Sequence, residues 1–435
     1  MKVLVLGSGA REHAIVTALA RDPEVSAICA APGNPGIASL AECYHVDLLD
    51  HLAVGRLAKS VGADLVIVGP EGPLVAGVAD AIRARGLLCV GPSEAAARLE
   101  GSKSFAKEIM ASAGVPTALA RVCTSPEEVA QALDAFGAPY VVKDDGLAAG
   151  KGVVVTDNLM TALAHAAQCL SREVPAGGPP PTVVVEEFLD GPEVSLFCLT
   201  DGRTVVPLAP AQDFKRALDG DGGLNTGGMG AYSPLDWAPS GLVDEVVTRV
   251  AQPTVDEMRR RGAPFAGVLY VGLALTSRGT RVVEFNARFG DPEAQVVLAR
   301  LRTPLGGLLR AVAAGTLDQV EPLVWDDDAA VTVVIAAQGY PGGPRKGDPI
   351  KGCEDVRNAA VLHAGTAVRG GQLVSDGGRV LSVVATGEDL GEARARAYAA
   401  VDAIHLRGAH HRRDIALAAQ EGRVSLPAGH SVASW

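Results

Sequence analysis

The first hundred residues alternate short apolar runs with amphipathic ones, and the apolar runs end in glycine- or proline-rich loops. Residues 3–6, 25–30, 64–68 (DLVIV) and 87–90 read as strands, and 11–20 and 74–85 as helices. Strands joined through helices lie parallel with right-handed crossovers, because no tight turn can close a parallel pair. The alternation therefore predicts an open, Rossmann-like parallel sheet in an α/β chain. Ligands of such sheets bind beyond the carboxyl ends of the strands. Three loops stand at those ends: 7–10, 31–36 (APGNPG) and 69–73 (GPEGP).

With 435 residues the chain exceeds one ordinary core. A helix near 101–115 leaves the first sheet. A second block follows, with strands at 140–143, 153–156 and 182–187, a helix over 158–170, and further strands near 193–200, 267–275 and 281–286. Residues 322–328 read as a linker. A third, α+β block has strands at 331–336 and 379–385 and a helix at 391–403, and the polar end after about Arg423 is expected to fray.

Composition limits the function. Hydrophobic residues make up 48% of the chain, ample for packed cores. A net charge of −11 and 4% aromatics disfavour a nucleic-acid partner, which needs phosphate-neutralising charge and stacking rings. Seven scattered cysteines without a CxxC pair read as free thiols of a reducing, cytoplasmic compartment. The start, MKVLVLGSG, reads as a first strand and not a signal peptide, and no apolar run is long enough to span a membrane. Lysines number nine against thirty arginines, and five of the nine (Lys103, Lys107, Lys143, Lys151, Lys215) fall between residues 103 and 215. That clustering suits point-charge contacts to phosphates, although chance also produces clumps.

Five motifs carry possible chemistry. Gly7-Ser8-Gly9-Ala10-Arg11-Glu12 forms a strand-to-helix turn suited to a phosphate, or a plain tight turn. It lacks the third glycine of a dinucleotide fingerprint, with Glu12 in that place, and no acid follows about 20 residues on. In Lys143-Asp144-Asp145-Gly146-Leu147-Ala148-Ala149-Gly150-Lys151-Gly152, a strand lysine precedes a glycine loop. This suits a lid over a triphosphate, or a hairpin tip, and it is not a Walker A loop. Glu186-Glu187-Phe188-Leu189 followed by Glu193 could read an adenine edge through the backbone and a ribose through a carboxylate, or be an ordinary strand end. Glu284 and Asn286, two apart on a strand, share a face and could give Mg²⁺ two oxygen ligands. Gln212-Asp213-Phe214-Lys215-Arg216 and Asn225-Thr226-Gly227-Gly228-Met229-Gly230 put an acid, a base and a glycine turn together, as a zwitterionic substrate requires, or form a plain loop.

In this order the motifs GSGAREHA, APGNPG, VGPEGPL, LEGSK, KDDGLAAGKGV, EEFLDGPE, QDFKR, NTGGMGAYSP, EFNARFGDPE, AAQGYPG and HAGT resemble the ATP-grasp ligases, and among them the glycinamide ribonucleotide synthetases of purine synthesis. The resemblance runs from residue 7 to about 366. It implies an N-terminal Rossmann-like domain (1–103), a central ATP-grasp domain (104–318) with a lid at about 118–190, and a C-terminal domain (325–423). It implies a cytoplasmic, monomeric enzyme that joins glycine to 5-phosphoribosylamine with ATP and Mg²⁺, or Mn²⁺ in its place. Lys103, Lys143, Gly146, Gly150, Lys151 and Gly152 would then hold the phosphates. Glu186, Glu187 and Leu189 would meet adenine, Glu193 the ribose, and Glu284 and Asn286 the metal. Asp213, Lys215, Gly228, Met229, Gly230, Arg288 and Asp291 would line the substrate side, with Lys143, Arg288 and Asp291 catalytic. Gly9, Arg11, Glu12 and Asn34 would take the sugar phosphate.

Three positions depart from the family pattern: Asp144 for alanine, Phe214 for histidine and Leu224 for proline. A biotin-carboxylase-like enzyme would share only the nucleotide half. A nicotinamide oxidoreductase would leave the lysine and metal motifs unexplained.

Overall fold

The computed structural model describes residues 1–147, 152–172 and 180–430. The N-terminal sheet is parallel, in the order Glu42–Cys43, Ala27–Pro32, Lys2–Gly7, Leu65–Val68, Leu88–Val90. The strand order reverses at Lys2–Gly7, so the loops after that strand and after Leu65–Val68 open at the switch point where such sheets bind ligands. The helix expected over 74–85 is broken into Glu71–Val75 and Val78–Arg83, with Gly77 at φ +78° between them. The helix expected near 101–115 is preceded by another, Glu94–Gly101. The second helix, Lys103–Ala113, restarts at Ser102, whose hydroxyl accepts from Phe105 N–H.

The lid expected at 118–190 has an antiparallel sheet of its own, ordered Ala120–Cys123, Val183–Glu186, Tyr140–Asp144, Val153–Thr156. The helices Pro126–Phe136 and Leu159–Leu170 cover it through a separate small core that includes Val129, Leu133, Val142, Ala162 and Val185. Facing it stands a second antiparallel sheet: Val205–Pro207, Glu193–Asp201, Ala266–Thr276, Gly279–Asn286. Lys143 Nζ crosses from the first of these sheets to the Val283 carbonyl on the second, at 3.1 Å.

The last large sheet runs Gln212–Asp213, Gly230–Ser233, Ala329–Ala336, Arg379–Gly387, Ala360–His363. Its first two strands flank the glycine turn, so that turn is built into the same sheet as the C-terminal strands. Residues 322–328 are pinned to the end of the helix Glu293–Arg300: Leu301 bridges Trp325 and Asp326 N–H donates to Arg300 O. The expectation of a frayed end after Arg423 is corrected as far as His430. Its Nδ1 donates to Thr276 O, at the hairpin turn that ends the strand Ala266–Thr276, at 2.9 Å, and Leu426 packs on the core.

The N-terminal helix is tied to the C-terminal sheet by two imidazoles. His363 N–H donates to His13 Nδ1 at 2.8 Å, so the His13 proton sits on Nε2. Burial, then the neighbouring His363, lowers His13 to about 4 from its ordinary 6.5. Stability from this group is therefore full above about pH 6.5 and lost as pH falls toward 4, since the unfolded chain takes up a proton that the fold refuses. Between pH 7 and 4.5 the wild type is expected to lose about 2–3 kcal/mol more stability than His13→Asn, whose amide oxygen can accept the same N–H. Denaturant unfolding of both proteins at the two pH values checks this, and equal losses would refute it.

Candidate active site

The N-terminal glycine loop is shaped by Glu12. Gly9 N–H donates to Glu12 Oε2 at 2.6 Å, and Arg11 Nε to Glu12 Oε1 at 2.6 Å. A Cβ at Gly7 would lie 2.5 Å from Glu12 Cδ, and one at Gly69 only 2.1 Å from Oε1. The glycines at the switch point thus make room for a carboxylate that caps the helix, the position a dinucleotide fingerprint gives to glycine. Two groups expected at the sugar phosphate have partners within the fold. The Gly9 N–H is taken by Glu12. Asn34 does not offer a free amide either: its Nδ2 donates to Ser8 O and His363 O, both at 2.8 Å, and its Oδ1 accepts from Ile37 N–H. Arg11, buried beside them, donates to Phe289 O at 3.1 Å. A Cβ at Gly9 would lie 3.5 Å from Asp291 Oδ2, so this loop and the RFGDPE turn face each other.

On the nucleotide side, Lys143 lies between the sheets and pairs with Glu186 Oε2 at 2.8 Å. Glu186 Oε1 pairs with Lys107 at 3.0 Å, and Lys107 also donates to Thr117 Oγ1 and Ala118 O. Glu186 is thus a buried counter-ion for two lysines. Burial lowers Lys107 to about 8, with Glu186 opposing the shift. Lys107 is missing from the motif reading and was visible only in the lysine clustering. Lys103 donates to Gly146 O at 3.0 Å, while Asp145 accepts from Ser104 N–H and so caps the helix Lys103–Ala113. The root of the glycine loop is anchored to that helix. Gly152 O accepts from Asp144 N–H, while Gly150 and Lys151 lie outside the described residues. Glu187 donates its N–H to Leu119 O, and its side chain pairs with Arg278. Its carbonyl and the Leu189 N–H take no partner among the described residues, which leaves one acceptor and one donor for a base edge.

Across the second sheet, Ser195, Gly272 and Glu284 stand in one row and Phe197, Tyr270 and Asn286 in the next. Opposed residues of an antiparallel ladder project to the same face. Glu284 and Asn286 therefore share a face, beside Gly272, where a Cβ would come within 3.4 Å of Glu284 Cγ. Glu284 and Asp213 make no side-chain hydrogen bond or ion pair among the described residues, whereas Glu12, Glu100, Glu186, Glu193 and Asp291 all do. Burial works against ionisation of Glu284, but Lys215, Lys143 and Lys103 hold it below the usual carboxylate range. Asn286 Oδ1 receives only a long 3.4 Å contact from Arg288. An ionised carboxylate and an amide oxygen on one face fit a hard divalent cation, with nucleotide oxygens and water as the remaining ligands. No group of three or more His, Cys, Asp or Glu among the described residues forms a protein-only metal cage.

Asp213 is pushed up to about 8 by burial, against the pull of Lys215, with Glu293, Glu193 and Glu284 adding to the rise. Lys215 pairs with Glu193. Arg288 is held by Glu100 at 2.7 Å and Glu71 at 3.3 Å. Arg379 and Arg11 overcome burial to keep Asp291 low. The Met229 side chain is fully buried, and its N–H donates to Phe214 O. Gly228 (φ +110°) and Gly230 are close-approach positions, where a Cβ would meet Pro292 Cδ at 2.3 Å and Thr332 O at 2.6 Å.

The departures sort simply. Phe214 lies under the buried Arg412, whose Cζ is 4.8 Å from the ring centroid, so this position packs a cation and carries no titrating proton. Asp144 points away from Lys143 and pairs with Arg172 at 2.7 Å. Leu224 is exposed, and nothing in the structure explains it.

Three family models tile the chain. The phosphoribosylglycinamide synthetase N domain matches residues 1–100, its ATP-grasp (A) domain 101–294 and its C domain 330–418. The chain belongs to the phosphoribosylglycinamide synthetase family. The phosphoribosylamine–glycine ligase of Streptomyces coelicolor is 66% identical over 421 residues, covering 96% of this chain and 99% of that protein. The ligase of Mycobacterium tuberculosis is 56% identical, covering 98% of this chain and 100% of its own length. The crystal structure of the Thermotoga maritima phosphoribosylamine–glycine ligase superposes with a TM-score of 0.83 at 33% identity, over 95% of this chain and 100% of that one. At 18% identity and a TM-score of 0.71, over 94% of this chain and 91% of that one, the biotin carboxylase domain of the Hydrogenobacter thermophilus 2-oxoglutarate carboxylase shares the fold. No helix among the described residues is long and apolar enough to cross a membrane.

Proposed function

We propose that this member of the phosphoribosylglycinamide synthetase family joins glycine to 5-phosphoribosylamine, converting ATP to ADP and phosphate and giving glycinamide ribonucleotide for purine synthesis. The observation that carries the reading is the pair of uncommitted carboxyl groups, Glu284 and Asp213, set between the lysine-lined nucleotide side and the arginine-lined acceptor side. A carboxylate is a poor electrophile. Transfer of the γ-phosphoryl group to glycine gives glycyl phosphate, which the sugar amine attacks, releasing phosphate and forming the amide.

In this reading the protein mainly positions groups and balances charge. Lys143 and Lys103 face the phosphates, and Gly146, Gly150, Lys151 and Gly152 contact them as well. Glu186 holds the Lys143 side chain in place. The Glu187 carbonyl and Leu189 N–H meet adenine, and Glu193 meets the ribose. Glu284 and Asn286 hold Mg²⁺, or Mn²⁺ through the same hard oxygens, which neutralises charge on the phosphates. Asp213 and Lys215 orient glycine, and Arg288, Asp291 and Arg11 line the acceptor side, where Gly9 and Glu12 shape the loop. The 118–190 unit, with its own core, acts as a lid that excludes water from glycyl phosphate. Seven free thiols fit a cytoplasmic enzyme, and we assign a monomer.

The test is ADP release from ATP and Mg²⁺. It is expected to require glycine and phosphoribosylamine together. Release supported by bicarbonate and biotin instead would replace the reading with a carboxylase.

A further inference from the structure

Two C-terminal motifs, AAQGYPG and HAGT, have no role in the chemistry above, yet both converge on the glycine turn, the first directly and the second through Arg379. Arg379 opens the strand Arg379–Gly387. Its Nη1 donates to Gly227 O at 2.7 Å, Gly228 O at 3.3 Å and Asp291 O at 2.6 Å, and its Nη2 pairs with Asp291 Oδ2 at 3.2 Å. Its own carbonyl accepts from Gly365 N–H of HAGT at 2.9 Å. Tyr340 of AAQGYPG accepts from Gly227 N–H at 3.1 Å. A Cβ at Gly227 would lie 2.9 Å from Arg379 Cζ, so glycine there is what lets the guanidinium close on the backbone.

The parts gathered this way belong to the substrate side. Asp291 Oδ2 faces the Gly9 loop, and Gly228–Gly230 continues into the strand whose Ala231 pairs with Asp213. One fork therefore fixes the spacing between the two walls that carry Asp213 and Asp291. A planar guanidinium donates to these carbonyls and the carboxylate from a rigid fork; a lysine ammonium supplies the charge without that fixed geometry. Arg379 lies on the substrate side and has no contact with the Lys143–Glu186 pair.

We infer that Arg379 is a positioning residue, a C-terminal clamp that sets the acceptor-substrate walls and leaves the nucleotide side alone. This rests on the ligase reading above. The experiment compares wild type, Arg379→Ala and Arg379→Lys for melting temperature, MgATP affinity by calorimetry, and kcat and KM for glycine and phosphoribosylamine. For Arg379→Ala, kcat/KM for both acceptor substrates is expected to fall by about 10²-fold, mainly through KM, with MgATP affinity within about twofold. Arg379→Lys is expected to recover part of that loss, since the charge on Asp291 returns without the fork. Unchanged kinetics in Arg379→Ala, or an equal loss in ATP affinity, overturns the inference. If Arg379→Ala does not fold, Arg379→Lys decides: a selective rise in acceptor KM supports the clamp, and wild-type kinetics refutes it. Absence of glycine- and phosphoribosylamine-dependent ADP release in the wild type would instead remove the ligase reading.

Discussion

Glu284→Gln combined with Asn286→Ala is expected to lower ligation by about 10³-fold or more at ordinary Mg²⁺, a change of about 4 kcal/mol in barrier. The two side chains share a sheet face beside Gly272. Glu284 is held ionised by three lysines, and no protein donor or cation pairs directly with it among the described residues. A carboxylate committed to the fold would lose a partner on mutation and destabilise the protein; this one loses none. The double variant should therefore melt near the wild-type temperature while failing to turn over. The substitution also removes a negative charge facing Lys103, Lys143 and Lys215, so free ATP should still bind while the benefit of added Mg²⁺ disappears. Calorimetry with and without Mg²⁺, beside the steady-state assay, separates the two. Near-normal turnover in a folded double variant would show that the metal is held elsewhere.

What was legible in the sequence was local. The i, i+2 spacing of Glu284 and Asn286 on an apolar strand put them on one face, and the structure agrees. Strand and helix alternation over the first hundred residues gave the parallel sheet, because periodicity and loop composition are themselves local signals. What could not be read is what register and distance decide. Gly272 makes space for Glu284 only because the two strands pair in that register. Arg379 stands 88 positions after Asp291 and looks like any polar residue at the start of a strand. Glu12 was read as a defect in a glycine fingerprint, and only the fold shows its carboxylate filling the space left by Gly7 and Gly69. Lys107 was counted but not placed, since its pairing with Glu186 crosses from a helix to a sheet.

Lys143→Ala is expected to cut kcat/KM for ATP by about 10³-fold, and Asp144→Ala by less than about threefold, although the two residues are adjacent. Successive strand residues face opposite ways, and the structure gives each face a different charge balance. Lys143 reaches Glu186 and Val283 O inside the inter-sheet crevice, while Asp144 reaches Arg172 on the far side. Losing Lys143 removes a point charge beside the strand that carries Glu284. Glu186 is then left with Lys107 alone, and Lys107, freed from the neighbouring Lys143 charge that helps to lower it, moves back up toward its ordinary value and keeps its charge. Lys143→Ala should therefore lose no more activity between pH 7 and 9 than the wild type does. Asp144→Ala removes a carboxylate whose Oδ1 is buried without a partner and whose one ion pair ends on a half-exposed arginine, so stability should change by less than about 1 kcal/mol. Steady-state kinetics on both variants across that pH range decides the matter. Greater damage from Asp144→Ala would mean that the charge facing the nucleotide lies on the other side of this strand.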